Sequence, residues 1–269
     1  VRGLIRDITI GQYFPGDSPV HRLDPRFKLV ITVLLIVMLF TGGNLICLSI
    51  GAVFTIMSVI ISRIPFKMFV KSIKPLMPFL VITALLNLFF IDTGDVYFKW
   101  KFISITSGGI DISVFMIIRI VLLIVGSSLL TYTTSPITLT DAIERLLSPL
   151  KKLKFPVHEL AMMMSIALRF IPTLLEETDK IMSAQKARGA ELDSGSMMTR
   201  IKNLVSIMIP LFISAFRRAD ELATAMECRC YNGGDGRTRL RQMKSTVYDY
   251  IALAVTVVFL IGVIIADRF

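Results

Sequence analysis

The chain is poor in the residues that most chemistry requires. Its 269 residues include two histidines, three cysteines and one tryptophan. His21 and His158 are far apart, and a metal centre needs several convergent ligands. No acidic pair lies inside an apolar run, so a positioned acid and base at the membrane surface is not expected either. The expectation is therefore no cofactor, no metal and no catalytic residue, which leaves a membrane-embedded transferase as a remote alternative. Three cysteines cannot build a disulfide framework. Cys47 lies in an apolar run, and Cys228 and Cys230 are two apart, which is not the Cys-x-x-Cys spacing of redox or metal pairs. The string Asn232-Gly233-Gly234-Asp235-Gly236-Arg237-Thr238 lacks the Gly-x-x-x-x-Gly-Lys-Ser/Thr pattern that cradles nucleotide phosphates. No small-residue cleavage site follows the first apolar run, so no cleavable leader is expected.

Charge is also scarce: 19% of residues are charged and 54% hydrophobic, with a mean hydropathy of +0.70. Soluble domains are nearer ~25% charged and ~45–50% apolar, so the composition points to the bilayer. The charge that is present is one-sided, 30 basic against 20 acidic residues, net +10. The basic residues alternate with acids along amphipathic stretches rather than forming an aromatic-lined stripe. No nucleic-acid partner is expected.

A spanning helix needs about 20 mostly apolar residues. Five stretches qualify or nearly do: Phe27–Phe40, Leu45–Ile61, Leu76–Ile91, Ile110–Tyr132 and Val247–Ala266. Basic residues gather at the head (Arg2, Arg6, Arg22, Arg26, Lys28) and between spans two and three (Arg63, Lys67, Lys71, Lys74). The turn Thr41–Asn44 has none. By the positive-inside rule the amino terminus is cytoplasmic, with Tyr97 and Trp100 in an outer interfacial belt. Three parts follow: residues 1–132, a membrane domain with spans one to four; residues 133–246, a cytoplasmic segment; and residues 247–269, a last spanning helix. The middle part holds 17 of the 30 Lys and Arg residues and 12 of the 20 acids.

Residues 133–246 read as amphipathic helices. A short one opens at Thr140 as cap and stops at Lys151-Lys152-Leu153-Lys154 before Pro156. A second, from about Val157 to Ala187, places Val157, Leu160, Ala161, Met164, Leu168, Ile171, Leu175, Thr178, Ile181, Met182 and Gln185 on one face at the 3.6 period, apolar apart from Thr178 and Gln185. A third, from about Ser196 to Cys228, does the same with Ile201, Leu204, Val205, Met208, Leu211, Phe212, Ala215, Ala219, Leu222 and Met226. Pro172 and Pro210 lie inside and are expected to kink them. Gly189 is placed to end the second helix in the left-handed conformation. Each helix thus carries Ile-Pro, a charged half and then an Arg between small residues. An Arg in a last turn complements the helix dipole. Two helices ending alike, with small neighbours around a planar fork of donors, suit two docking contacts with a paired partner.

At these residues the sequence resembles the transmembrane T component of energy-coupling-factor transporters, the ABC-type importers of vitamins and metal ions. That family carries two Ala-Arg-Gly signatures at the ends of crossed cytoplasmic coupling helices. The first stands here as Ala187-Arg188-Gly189 and the second as Cys228-Arg229-Cys230, with both flanking residues changed. The head, Gly11-Gln12-Tyr13-Phe14-Pro15-Gly16-Asp17-Ser18 followed by His21-Arg22-Leu23-Asp24-Pro25-Arg26, resembles the version that serves many substrate-binding subunits. Asp24 also suits a helix cap, with Pro25 at the first helical position.

The resemblance implies an all-α polytopic bundle of about five spans in a prokaryotic plasma membrane, carrying crossed coupling helices. It implies two ABC-type ATPase partners docked at Arg188 and Arg229, and a membrane-embedded substrate-capture subunit resting on the apolar cytoplasmic surface. The chain itself would not be an enzyme. A dedicated T component of a cobalt or nickel importer is the nearer alternative. Arg119, near the middle of span four, is a candidate intramembrane functional residue, unless it bonds backbone carbonyls in the bundle.

Overall fold

A computed structural model of the chain describes residues 13–91, 95–100, 103–153, 155–190, 197–233 and 245–268. The described elements are α1 (Pro19–Arg22), α2 (Pro25–Thr41), α3 (Leu45–Ser62), α4 (Phe66–Ile73), a 3-10 turn (Lys74–Leu76), α5 (Met77–Phe90), β1 (Val96–Trp100), β2 (Ile103–Thr106), α6 (Ser107–Thr133), α7 (Pro136–Leu147), a 3-10 segment (Ser148–Leu153), α8 (Val157–Ala187), α9 (Met197–Glu227) and α10 (Val247–Arg268). They fall into two compact units, one within Gly11–Ala142 and Gln242–Phe269 and the other within Ile143–Arg241.

The first unit is an apolar bundle. α2 packs against α3, α6 and α10 around Leu35, Met38, Leu39, Leu48, Phe54 and Val263. Two glycines let the backbones close in. A Cβ on Gly51 would stand 2.7 Å from Leu39 Cδ2, and one on Gly126 would stand 2.2 Å from Leu35 Cδ2. α3, α5 and α10 leave large apolar residues such as Ile60, Phe90 and Val258 exposed, as lipid-facing helices do. A smaller cluster joins Ile64, Phe69 and Tyr132, with the Tyr132 hydroxyl donating to the Met68 carbonyl at 3.0 Å.

One end of this bundle is pinned by caps. Asp24 caps α2, accepting from the Arg26 amide at 3.0 Å, and Pro25 takes the first helical position, as expected. Asp249 accepts from the Thr246 amide at 2.6 Å and hydroxyl at 2.7 Å, a capping-box arrangement at the start of α10. Its other oxygen accepts from the Asp24 amide at 2.7 Å, so the two helix starts are tied together. Lys28 is buried, and its ammonium donates to the carbonyls of His21 (3.0 Å) and Thr133 (2.9 Å). Those carbonyls end α1 and α6, where a helix leaves its acceptors unpaired. In the head, His21 contacts the Ser18 hydroxyl at 2.7 Å and the Phe14 carbonyl at 3.0 Å. A Cβ on Gly16 would stand 3.0 Å from its ring. Gly11 and Gln12 of the head motif lie outside the described residues.

Among the described residues, five helices are long and apolar enough to cross a membrane, by length and composition: Leu45–Ser62, Phe66–Phe90, Ser107–Thr133, Val157–Ala187 and Val247–Arg268. The number agrees with the sequence reading, but the set differs in two places. α2, with 17 residues, is about 26 Å long at ~1.5 Å per residue, short of the ~30 Å hydrocarbon core. It nonetheless lies in the middle of the apolar packing. α8 qualifies at a hydropathy of 1.2, the lowest of the five, because its apolar positions outnumber its charges despite their amphipathic spacing. The expected third span also starts earlier: α4, the 3-10 turn and α5 form one continuous helical run from Phe66.

Two further expectations are corrected. Thr140 does not cap a helix. It lies buried inside α7 and donates to the Pro136 carbonyl at 2.9 Å, while the Ser135 hydroxyl accepts from the Thr138 amide at 3.4 Å near the helix start. The link after α5 is a two-stranded antiparallel hairpin, β1 with β2, pairing Val96 with Thr106 and Trp100 with Ile103 across a bulge. It is the departure from all-α structure among the described residues. Side-chain positions at Tyr97 and Trp100 lie outside the described residues.

Candidate functional site: two arginine-tipped helix ends

The second unit is built on α8 and α9, which run antiparallel. Gln185 donates to the Ser206 carbonyl at 3.2 Å, and Arg218 bonds Glu177 at 3.0 Å; moving back along α8 moves forward along α9. Ile166, Phe170 and Leu174 of α8 and Ala215, Leu222 and Met226 of α9 line a small groove of about 270 Å³ between them. The face of α8 that meets α9 is thus offset from the stripe expected at Leu160, Met164, Leu168 and Ile171, of which Leu160, Met164 and Ile171 are exposed. The Pro172 and Pro210 positions lie within helices assigned as continuous. At the start of α8, His158 bonds Glu144 of α7 at 3.0 Å.

The antiparallel pairing places the two arginines at opposite ends. Arg188 follows the last residue of α8, close to the level of Ser206. From Ser206 to Arg229 there are about 23 residues of chain, roughly 35 Å at helical rise. Each tip closes in the same way. At the first, Gly189 takes φ +83°, its amide donates to the Lys186 carbonyl at 3.0 Å, and the Ala190 amide to the Gln185 carbonyl at 3.0 Å. At the second, Cys230 takes φ +53°, its amide donates to the Glu227 carbonyl at 2.8 Å, and the Tyr231 amide to the Met226 carbonyl at 3.1 Å. The long bond back over five residues, across a left-handed residue, is a Schellman ending. In both, the arginine immediately precedes the left-handed residue. Ala187, Arg188, Gly189, Cys228, Arg229 and Cys230 are all exposed. Neither guanidinium takes part in an ion pair among the described residues.

The reversal at the second tip is made at Cys230, ahead of the glycine-rich string. Sequence offset could have shown it: Cys230 stands where Gly189 stands relative to the arginine. Gly233 is also left-handed, φ +86°; Gly234 to Arg239 lie outside the described residues. The expected stripe on α9 splits in two. Its second half lines the groove on α8, while Ile201, Leu204, Val205, Met208 and Phe212 remain exposed.

Arg119 belongs to the other unit. Its guanidinium donates to the Gly42 carbonyl and lies 4.6 Å from the centre of the Phe115 ring. The next peptide, Gly43, donates to Asp267 at 2.9 Å. Adjacent peptides of the turn after α2 thus serve Arg119 and Asp267, residues far apart in sequence. No cluster of metal-ligating side chains occurs among the described residues.

The chain thus joins an apolar multi-helix unit, with helices long enough to cross a membrane, to a paired-helix unit with exposed cationic tips. Residues 16–240 match the model of the CbiQ family, described as cobalt transport protein, and the chain belongs to that family. It is 53% identical over 264 residues to the energy-coupling factor transporter transmembrane protein EcfT of Ruminiclostridium cellulolyticum, covering 98% of each chain. It is 54% identical over 250 residues to the EcfT protein of Clostridium kluyveri (93% of each). The EcfT protein of Bacillus subtilis is 46% identical over 263 residues, 96% of this chain and 99% of that one.

Proposed function

We propose that the chain is the transmembrane coupling subunit of an energy-coupling-factor importer. It is a non-catalytic membrane subunit of the transporter. Two ABC-type ATPases bind at Arg188 and Arg229, one at each tip of the α8–α9 pair. Closure of the ATPases on ATP moves the tips, and the pair transmits the motion to a membrane-embedded subunit that captures the vitamin or other micronutrient. The observation that carries this reading is the repeated tip. Two helices end in one backbone geometry, each presenting an exposed arginine, at opposite ends of an antiparallel pair. One contact on each of two like partners requires that arrangement, and a guanidinium fork suits a carboxylate or carbonyl acceptor in each. The exposed apolar half of α9 supplies a surface for the capture subunit. On this reading residues 1–132 and 247–269 hold the membrane spans, residues 133–246 are cytoplasmic, and the amino terminus is inside a prokaryotic plasma membrane.

The test is co-purification of the chain with the ATPases of the same cell, as wild type and as Arg188→Glu with Arg229→Glu. The wild type is expected to bring down two cassette ATPases and the double variant neither, with substrate uptake lost. Undiminished ATPase binding by the double variant refutes the docking role. The description of the matching family favours, as second reading, a dedicated cobalt importer. Uptake of several unrelated substrates with different capture subunits supports the shared type; uptake of cobalt alone supports the dedicated one.

A further inference from the structure

The membrane unit contains a cleft of about 840 Å³ that the coupling role does not use. Its mouth lies at the pinned end of the bundle. Arg22 ends α1, Lys28 lies in the first turn of α2, Arg63 caps the end of α3, and Thr246 begins α10. Its walls are Phe54, Met57 and Ile61 of α3, Leu129 of α6, and Ile251 and Val255 of α10. From Arg63 down to Phe54, and from Thr246 down to Val255, the cleft follows about nine residues of helix, roughly 14 Å. It is therefore a trench along the helix axes, basic at the mouth and apolar at depth.

We propose that this trench holds an anionic phospholipid of the bilayer, headgroup at Arg22 and Arg63 and an acyl chain against Phe54, Met57 and Val255. Charge complementarity selects the headgroup. Three cations line the cleft against one acid, Asp17. The Lys28 ammonium is committed to two carbonyls, which leaves the arginines to meet a phosphate. Neither has an ion-pair partner among the described residues, and a guanidinium matches phosphate oxygens in pairs. Arg63 also holds a left-handed backbone, φ +54°, where glycine is unstrained and arginine is not; the fold does not need an arginine there. Tyr248, exposed at the mouth, has the apolar body and polar tip typical of the headgroup level. The walls select the source. They belong to helices apolar enough to cross a membrane, so the occupant enters from the bilayer. A soluble anion leaves the trench empty, and a zwitterionic lipid leaves the mouth without a net counter-charge.

The test uses the full chain in nonionic detergent, with lipid retention read by native mass spectrometry. Phosphatidylglycerol, phosphatidylcholine and inorganic phosphate are compared at equal concentration. Phosphatidylglycerol is expected to be retained on the order of tenfold more strongly than phosphatidylcholine, the scale of a paired guanidinium–phosphate contact. Arg22→Gln with Arg63→Gln should abolish that preference, while Arg169→Gln with Lys202→Gln in the other unit should leave it. Both arginines of the first pair are exposed, so the double variant keeps the bundle core intact, and its melting midpoint without lipid checks this. Ser58→Trp, which narrows the trench, should lower retention of both lipids. Equal retention of the two lipids overturns the proposal, as does unchanged preference in the arginine variant or competition by inorganic phosphate at lipid concentration. The isolated chain suffices, so the result is independent of whether the ATPases dock at Arg188 and Arg229.

Discussion

At the scale of single residues, the two tips form an internal comparison. Gly189 and Cys230 occupy the same left-handed place in the same helix ending, but only one is a glycine. A side chain there costs about 1–2 kcal/mol. A Cβ on Gly189 would meet nothing within 4 Å, so backbone conformation alone governs the substitution. Gly189→Ala should therefore loosen the first tip by about 1 kcal/mol and Cys230→Gly should tighten the second by a similar amount. Amide hydrogen exchange at Ala190 and Tyr231 reads the two effects, which should have opposite signs; a common sign contradicts the shared geometry. Lys28 is the other residue whose role is set by its surroundings. It counts in the sequence only as a basic residue near a span, yet it serves two helix ends at once. Lys28→Met leaves the buried Thr133 carbonyl and the part-buried His21 carbonyl without this donor and should destabilise the chain by about 1–3 kcal/mol. An unchanged melting midpoint in detergent would show that water replaces the ammonium.

At the scale of helices, amphipathic spacing located α8 to the residue and α9 to within one at each end. It could not say which stripe meets which neighbour. α8 is apolar on more than one side, and the face on α9 runs through Ile166, Phe170 and Leu174 rather than through the stripe counted at the 3.6 period. Close helix approach was hidden for a similar reason, since a glycine in an apolar run looks the same facing lipid or facing a neighbour. Gly126 faces Leu35. Gly126→Leu should force α6 away from α2 and destabilise the bundle by about 1–3 kcal/mol. Adding Leu35→Ala should recover part of the loss; no recovery would place the strain elsewhere. The Arg218–Glu177 pair between α8 and α9 is partly exposed on both sides, and its contribution is about 0.2–1 kcal/mol. Apolar contact along the two helices is therefore expected to contribute more to their pairing than that ion pair does.

At the scale of the whole chain, two exposed thiols of the paired-helix unit lie where a chemical probe can reach them. Cys228 and Cys230 are exposed and free, and Cys47 is buried. The proposed topology puts residues 133–246 in the cytoplasm, and on it a membrane-impermeant maleimide should label the pair in inside-out vesicles and not in right-side-out ones. Labelling from the outer side would reverse the topology. Added ATPases should protect the same thiols, because they flank Arg229. Composition and hydropathy determined the membrane class, since a chain with so little charge cannot solvate its surface. Proline, glycine and apolar spacing determined where the long helices run, because those signals are local. The placement of Arg188 and Arg229 at two helix ends was legible for the same reason, since each ending is written in a few adjacent residues. What only the tertiary structure decided is long-range. Lys28 finds Thr133, Asp249 finds Asp24, Arg119 finds the Gly42 carbonyl, and the antiparallel register of α8 and α9 sends the tips to opposite ends. Each joins residues well separated in the chain through hydrogen bonds whose partners no local pattern can name.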